Sequence, residues 1–200
     1  MSLYREESVP LLEQLQQNLS FGRRSRAADA AVLIAITQEQ NPKILLTRRA
    51  AHMRHHAGEV SFPGGRREKG DTSNIVVALR EAQEETALNP FEVELLGELS
   101  MQRSKSGLLV KPIVGLIQPQ MELIAEPNEI DRIFYMPLQD FIYSPLQAYP
   151  VKLAKQSIYF PSIHFDNEIV WGLTAKILVE LVQRGLQYKK EWPFLLSAPK

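Results

Sequence analysis

The chain has 200 residues, 44% of them hydrophobic, which is long enough for one sizeable core and too short for two independent ones. Lysine plus arginine number 23 and aspartate plus glutamate also number 23, so no global field recruits nucleic acid or an anionic membrane. The absence of cysteine excludes disulfides, thiolate nucleophiles and cysteine-based metal sites, and it suits a reducing compartment.

The N-terminus and the apolar runs give no signal for export or membrane insertion. The first residues mix acidic and basic side chains and lack the basic and apolar regions of a signal peptide. No apolar run approaches the roughly 18 residues that a transmembrane helix requires. We therefore expect a cytoplasmic protein without a membrane or nucleic-acid partner, and a homodimer is compatible with the sequence.

Hydrophobic periodicity predicts the first elements. Leucines at helical spacing over residues 9–19 predict an amphipathic N-terminal helix, and a basic linker with Arg23, Arg24 and Arg26 follows it. Apolar runs at residues 30–36 and 44–47, separated by a turn-forming stretch, predict a pair of strands.

The rest of the chain alternates between strand and helix patterns. A helical period predicts a central helix over residues 74–88, and another predicts a C-terminal helix over residues 172–186. Further strands are predicted at residues 92–99, 108–117 and 158–165. This order lacks a regular βαβ rhythm, which favours an α/β/α sandwich around a mixed β-sheet. We assign residues 27–190 to one domain, preceded by a helix and linker (1–26) and followed by a tail (191–200).

The central helix carries a cluster of acidic residues. Glu81, Glu84 and Glu85 fall within about a 100° arc of the helix, and like charges at this spacing cost roughly 0.2–0.5 kcal/mol per pair. Arg80 offsets part of this repulsion through an i,i+4 contact with Glu84. A hard cation such as Mg²⁺ fits better, because carboxylate oxygens are its preferred ligands. On its own, however, the pattern is more typical of a solvated acidic face.

The glycines before this helix favour the functional interpretation. Gly64, Gly65 and Gly70 allow the backbone to approach a ligand and to turn sharply before a helix N-terminus. Together, the loop and the acidic helix predict a site that binds both a metal ion and a phosphate.

The segment resembles a Nudix box, in which a glycine, five residues, a glutamate and seven residues precede Arg-Glu-aliphatic-x-Glu-Glu-x-Gly-aliphatic. Here Gly65 is followed by five residues, Asp71, eight residues and the stretch Arg80 to Leu88. The sequence departs from the pattern at Asp71, by one extra residue before Arg80, and at Ala87, where glycine is usual. The metal-binding half is intact.

The preceding segment, residues 45–65, resembles the additional signature of Nudix enzymes that hydrolyse coenzyme A. The matching positions include a Phe-Pro-Gly-Gly end and several basic side chains, and Ala50 departs where serine is usual. The matches are Leu45, Leu46, Thr47, Arg49, Arg54, His56, Gly58, Val60, Phe62, Pro63, Gly64 and Gly65. Members of that branch also carry the longer spacing and the alanine, so these departures agree with it.

The resemblance implies a hydrolase that cleaves a small-molecule diphosphate, with coenzyme A as the leading substrate and Mg²⁺ or Mn²⁺ as cofactor. It implies that Glu81 and Glu85 bind the metal, with Glu84 as a third ligand or a base acting through water. Arg80 would orient a glutamate. Glu129 is a candidate base, although a glutamate in an acidic loop is more often simply solvated.

The resemblance also assigns substrate recognition to the glycine loop and to basic residues of the signature. These are Gly64, Gly65, Arg49, Arg54 and His56. The alternative interpretation is that these basic residues belong to a surface loop or form an internal salt bridge with Glu59. No third ligand with zinc spacing lies near the two adjacent histidines, and Trp171 is expected in the core rather than stacked on a base.

Two other functions stay open at this stage. One is a Nudix hydrolase of ADP-ribose, dinucleotides or nucleoside triphosphates, which applies if residues 45–65 are only scaffold. The other is a Nudix-fold sensor that binds a nucleotide without turnover. The intact glutamates and the lack of room for a separate DNA-binding domain argue against the sensor.

Overall fold

A mixed sheet forms the centre of the molecule, with helices on both faces. The structure is a computed structural model that describes residues 10–23, 25–53, 56–153 and 156–196. The helices are α1 (Leu11–Asn18), α2 (Asn74–Thr86), α3 (Leu138–Tyr143) and α4 (Gly172–Gly185). The strands are β1 (Ala30–Thr37), β2 (Lys43–Arg49), β3 (Val60–Ser61), β4 (Gly64–Arg66), β5 (Glu94–Glu98), β6 (Gln102–Arg103), β7 (Leu109–Ile117), β8 (Ile130–Pro137), β9 (Gln147–Leu153), β10 (Gln156–Phe165) and β11 (Glu168–Trp171).

Strand β1 organises the main sheet. The strand order of the main sheet is β3-β2-β1-β7-β5. In addition, β4 pairs with β1, β6 with β7, and β8 with β2. Strands β1 and β7 are parallel, whereas β2 and β4 pair with β1 in the antiparallel sense. Strand β4 pairs with the first half of β1 and β2 pairs near its end, at Ile36 and Ile44. The glycine loop therefore lies beside the end of β2.

Alternate side chains of β1 build two cores on opposite faces of the sheet. Ala31, Leu33 and Ala35 are fully buried in the cluster that contains the apolar face of α2. Ile34 and Ile36 are fully buried in the other cluster, with the apolar face of α4. A strand whose successive side chains enter different cores reads as a continuous apolar run, as β1 does. The predicted α/β/α sandwich around a mixed sheet is confirmed.

The segments on either side of the predicted domain pack onto the second core. Leu15 of α1 is fully buried, and its side chain lies where a Cβ on Gly185 of α4 would be. Near the C-terminus, the ring of Trp192 stacks on Phe141 of α3 with centroids 5.9 Å apart. Both segments therefore contribute to the core.

A buried carboxylate joins the main sheet to the second sheet, β11-β10-β9. Glu168 of β11 is 3% exposed and accepts hydrogen bonds of 2.9 Å from both Arg48 of β2 and Arg132 of β8. Arg132 also pairs with Asp166. This network holds β8 and β11 at fixed positions next to the end of β2.

The predicted elements lie close to those observed, but α3 and strands β3, β4, β6, β8, β9 and β11 were not predicted. The central helix ends at Thr86 instead of residue 88, and the strand predicted from residue 92 begins at Glu94, after a 3₁₀ turn at Pro90–Glu92. Strand β8 was not predicted, because the charges of Asp131 and Arg132 interrupt its apolar run. Partners distant in sequence neutralise Arg132, so the strand forms. Within the described ranges, the helices are too short or too polar to cross a membrane.

Candidate active site

Helix α2 is capped at its N-terminus and packs one face against the sheet. The hydroxyl of Ser73 accepts a hydrogen bond from the amide of Val76 at 3.1 Å, which caps the N-terminus. Val77, Ala78 and Ala82 are fully buried against the sheet. This packing turns the side that bears Glu81 and Glu85 towards the glycine loop.

Glu85 is the most buried of the helix glutamates, with 3% of the residue exposed. Its Oε2 accepts a hydrogen bond of 3.0 Å from the amide of Gly64, and its Oε1 lies 3.5 Å from a guanidinium nitrogen of Arg49. Burial raises the pKa of Glu85 to about 7, although the Gly64 amide and Arg49 both act to lower it. An additional positive charge nearby would stabilise the ionised form of this buried carboxylate.

Glu81 lies one helical turn before Glu85 and packs against the backbone of Gly65. A Cβ added at Gly65 would overlap the carboxylate of Glu81. Burial raises the pKa of Glu81, and this outweighs the opposing effect of Arg80. Glycine at this position therefore lets the carboxylate lie directly on the loop.

Gly64 is required for a different reason. Its φ is +155°, and a Cβ there would lie 2.5 Å from the carbonyl oxygen of Ala31 and 2.6 Å from the Cα of Val32. The tight pairing of β4 with β1 depends on the missing side chain. This pairing aims the Gly64 amide at Glu85.

Arg80 ties the acidic cluster together. Its guanidinium contacts both oxygens of Asp71, at 3.3 and 3.1 Å, and donates to the carbonyl of Arg66 at 3.0 Å. It also donates to Glu81 at 3.0 Å and, as predicted, to Glu84 at 2.9 Å. The hydrogen bonds from Arg80 lower the pKa of Asp71. Asp71, the residue that departs from the Nudix pattern, thus anchors Arg80 while Arg80 orients two glutamates.

Glu84 differs from its neighbours because its side chain is 58% exposed. It points away from the buried part of the cluster and has Arg80 as an ion-pair partner at 2.9 Å. A third-ligand or base role for Glu84 stays a prediction.

Glu129 lies in the same neighbourhood, although it comes from a turn just before β8. Its negative charge contributes to the raised pKa of both Glu81 and Glu85. Its turn is fixed by the amide of Ala50, which donates to the Glu129 carbonyl at 2.8 Å, and by the amide of Glu126, which donates to the Glu85 carbonyl at 3.0 Å. The loop is therefore attached to the end of α2 itself.

Arg49 is the last residue of β2. Successive side chains of a strand point to opposite faces, so Arg48 and Arg49 face different partners. The register with β8 also shifts here, and the extra residue, Asp131, lies in β8. Arg48 faces Glu168, whereas Arg49 pairs with Glu85.

The other basic residues of the signature do not all approach the glutamates. His56 lies in an exposed turn and its Nδ1 pairs with Glu59 at 2.7 Å, which is the internal contact considered above as the alternative. Arg54 lies outside the described residues.

The carboxylate oxygens of the site suit a divalent cation that receives only some of its ligands from the protein. Within the described ranges, no group of three acidic or histidine side chains forms a complete metal cage. Mg²⁺ at phosphate sites commonly takes only one or two carboxylates and completes its shell with water and phosphate oxygens. Glu81 and Glu85 meet this requirement, because burial raises the pKa of both and the charge of Glu129 adds to both shifts.

Sequence reasoning missed several contacts that build the site. They are the Gly64 amide on Glu85, the Asp71 anchor of Arg80 and the Glu126 amide on the end of α2. The glycines and Asp71 were visible in the sequence, but no local pattern indicated which carboxylate or guanidinium they contact.

The C-terminus of α2 explains why glycine is usual at the position of Ala87. Ala87 has φ +56° and ψ +17°, the left-handed conformation, and its amide donates to Gln83. We expect Ala87→Gly to raise the free energy of unfolding by about 0.5–1 kcal/mol, because glycine adopts this conformation without the steric cost. Urea unfolding of the two proteins tests this.

The matched control replaces the exposed Gln83, one turn earlier in the same helix, by glycine. Gln83→Gly should lower the free energy of unfolding, because glycine is unfavourable in a helix interior. A destabilised Ala87→Gly variant would contradict the conformational explanation.

Comparisons with known proteins agree with this geometry. A family model described as the NUDIX domain matches residues 27–157. Proteins from Salmonella paratyphi B and Salmonella newport, each named "Uncharacterized Nudix hydrolase NudL", are 42% identical to the chain over 156 residues, which cover 76% of this chain and 80% of theirs.

One solved structure supports the fold alone. A MutT/nudix family protein from Enterococcus faecalis superposes with a TM-score of 0.50 at 15% identity, covering 92% of this chain and 71% of that one. Because the family model covers more than half of the chain and the relatives share 42% of its residues over most of its length, the chain belongs to the Nudix family of pyrophosphatase-type hydrolases, which act on small-molecule nucleotide diphosphates and generally use divalent metal ions.

Proposed function

We propose that this Nudix hydrolase uses Mg²⁺ or Mn²⁺ to cleave the diphosphate of coenzyme A or its derivatives into 3′,5′-ADP and 4′-phosphopantetheine. The observation that supports the substrate is the position of the signature segment, residues 45–65. Its start supplies Arg49, which pairs with Glu85, and its end supplies Gly64 and Gly65, which contact Glu85 and Glu81. The segment that resembles coenzyme A hydrolases is thus one wall of the acidic site.

In this proposal Glu81 and Glu85 hold the cation. When bound, a divalent cation neutralises charge on the diphosphate and lowers the barrier to attack by water. Arg80 orients Glu81, and the Gly64 amide orients Glu85, so neither carboxylate has to be ordered when the substrate arrives.

Glu129 is our candidate for the general base. It is an exposed carboxylate whose charge contributes to the raised pKa of both Glu81 and Glu85, and this supports a place for it near the water molecule that would lose a proton. Glu84 is the alternative base. A Glu129→Gln variant whose kcat falls with unchanged affinity for the cation supports Glu129, and an unchanged kcat assigns the role to another group.

Discrimination among diphosphates must come from groups outside the helix, because coenzyme A, ADP-ribose and NADH all contain an adenosine diphosphate unit. Coenzyme A adds a 3′-phosphate, and arginine binds phosphate through charge-assisted hydrogen bonds worth roughly 1.5–3 kcal/mol, or about ten- to a hundredfold in affinity. We assign this recognition to Arg49, Arg54 and His56.

We expect a higher kcat/KM for coenzyme A than for ADP-ribose or NADH. Replacing Arg54 or Arg49 by alanine should reduce kcat/KM for coenzyme A more than for dephospho-coenzyme A if that residue reads the 3′-phosphate. Equal losses on both substrates would assign the residue to the shared diphosphate or to structure. A wild-type enzyme that prefers ADP-ribose would contradict the substrate while leaving the Nudix chemistry intact.

A further inference from the structure

Both oxygens of Glu85 are engaged. The amide of Gly64 occupies Oε2 at 3.0 Å and the guanidinium of Arg49 lies 3.5 Å from Oε1. The side chain of Glu85 is 4% exposed and that of Arg49 is 21% exposed, so little water competes for this carboxylate. A cation that takes Oε1 must therefore compete with Arg49 for it.

The two arginines of the site are held very differently. Arg80 has two contacts to Asp71 and one to the Arg66 carbonyl, in addition to its glutamates, so it stays in place if one glutamate is recruited elsewhere. Among the described residues, Arg49 has Glu85 as its ion-pair partner, and their separation of 3.5 Å is long for a charge-assisted hydrogen bond. Arg49 is thus the arginine that a cation displaces at the smaller cost.

The end of β2 keeps a displaced Arg49 close to the site. Its backbone amide donates to the Glu59 carbonyl, and its carbonyl accepts from the Gly58 amide, both at 3.0 Å. With the main chain fixed by these two hydrogen bonds, only the side chain is free to move. The guanidinium then stays within reach of an anionic ligand beside Glu85.

We propose that Arg49 is the internal counter-cation of Glu85, that a divalent cation displaces it, and that the released guanidinium binds an anionic oxygen of the substrate. This inference rests on the proposed metal site. It gives Arg49 a positioning role before substrate binds, and it means that Arg49 weakens cation binding in the free enzyme while it assists substrate binding.

The test is the affinity of the substrate-free protein for Mn²⁺, measured by electron paramagnetic resonance of the unbound ion in the absence of oxygen. Arg49→Gln keeps an N–H donor near Glu85 and removes the charge. Lys43→Met removes one positive charge from the other end of β2, where Lys43 forms a half-buried i,i+4 pair with Glu39. At about pH 8.5 Glu85 of the wild-type protein is ionised, since this is above its pKa. Loss of Arg49 raises the pKa of Glu85, so the affinity of each protein is followed to higher pH until it no longer rises.

We expect Arg49→Gln to bind Mn²⁺ roughly tenfold more tightly than wild type, since a charge-assisted contact no longer has to be broken. Lys43→Met should bind Mn²⁺ as wild type does. Equal or weaker Mn²⁺ binding by Arg49→Gln would overturn the inference about Arg49 and leave the proposed metal site standing. Failure of the wild-type protein to bind Mn²⁺ at all would instead overturn the proposed metal site.

A second measurement uses the wild-type protein and does not depend on a variant folding. Saturation with Mg²⁺ should move the Nη–Hη nuclear magnetic resonance of Arg49, whose Nη1 lies next to Glu85, towards that of a solvent-exposed arginine. The resonance of Arg80, which keeps Asp71 as its partner, should stay characteristic of a paired guanidinium. An Arg49 resonance that remains at its metal-free position would contradict displacement.

Discussion

Replacing Glu85 by glutamine is expected to lower kcat by about 100- to 1000-fold. Glutamine is nearly isosteric, and its carbonyl still accepts from the Gly64 amide, so the fold should persist. In the proposed metal site, the variant loses a negative ligand for the cation. A bound cation supplies several kcal/mol of transition-state stabilisation, with about 1.4 kcal/mol per tenfold change in rate. Glu81→Gln should show a loss of similar size.

Steady-state rates at saturating substrate and limiting metal measure this effect, and circular dichroism checks the fold. Glu92→Gln is the matched control, because Glu92 lies in the 3₁₀ turn after α2. Its kcat should equal that of wild type. Near wild-type rates for both Glu81→Gln and Glu85→Gln would exclude this helix as the metal site.

The second large effect is expected from a single methyl group. Gly65→Ala places a Cβ where the carboxylate of Glu81 now lies. The carboxylate is the end of a flexible side chain, so it moves aside at a small cost in stability. A misplacement of about 1 Å at a catalytic group can cost about a hundredfold in rate, and we expect a loss of this order. Comparison of kcat with the unfolding temperature separates the two effects.

Two other glycines provide contrasts. Gly22→Ala meets only an oxygen of Glu98 at 3.4 Å and should leave kcat and stability nearly unchanged. Gly64→Ala meets backbone atoms of Ala31 and Val32, which cannot move aside, and should destabilise the fold strongly. If Gly65→Ala retained full activity, Glu81 would not need to lie against the loop.

The sequence predicts the parts of the site that are local. The i,i+4 contact of Arg80 with Glu84 follows from helical spacing, which also places Glu81, Glu84 and Glu85 on one face of the helix. The close approach of the glycine loop follows from the glycines. Burial of Glu85 was not predicted, because it depends on Gly64, 21 residues earlier, and on the loop that ends at Glu129.

Contacts between segments that are distant in sequence account for the other differences between the predicted site and the observed one. Arg49 contacts Glu85, which lies far from it in sequence. Strand β8 was hidden by the charges of Asp131 and Arg132, of which Arg132 pairs with Glu168. His56 illustrates the opposite case, since the signature assigns it to substrate, while its observed partner is Glu59. Its role in recognition stays a prediction.

The most direct test of the proposed reaction is mass spectrometry of coenzyme A incubated with the pure protein. With Mg²⁺ or Mn²⁺ the wild-type enzyme should give 3′,5′-ADP and 4′-phosphopantetheine in equal amounts, and the products should be absent without metal or with both Glu81 and Glu85 replaced by glutamine. Intact coenzyme A after incubation of the wild-type protein with either metal, alongside cleavage of ADP-ribose under the same conditions, would contradict the proposed substrate.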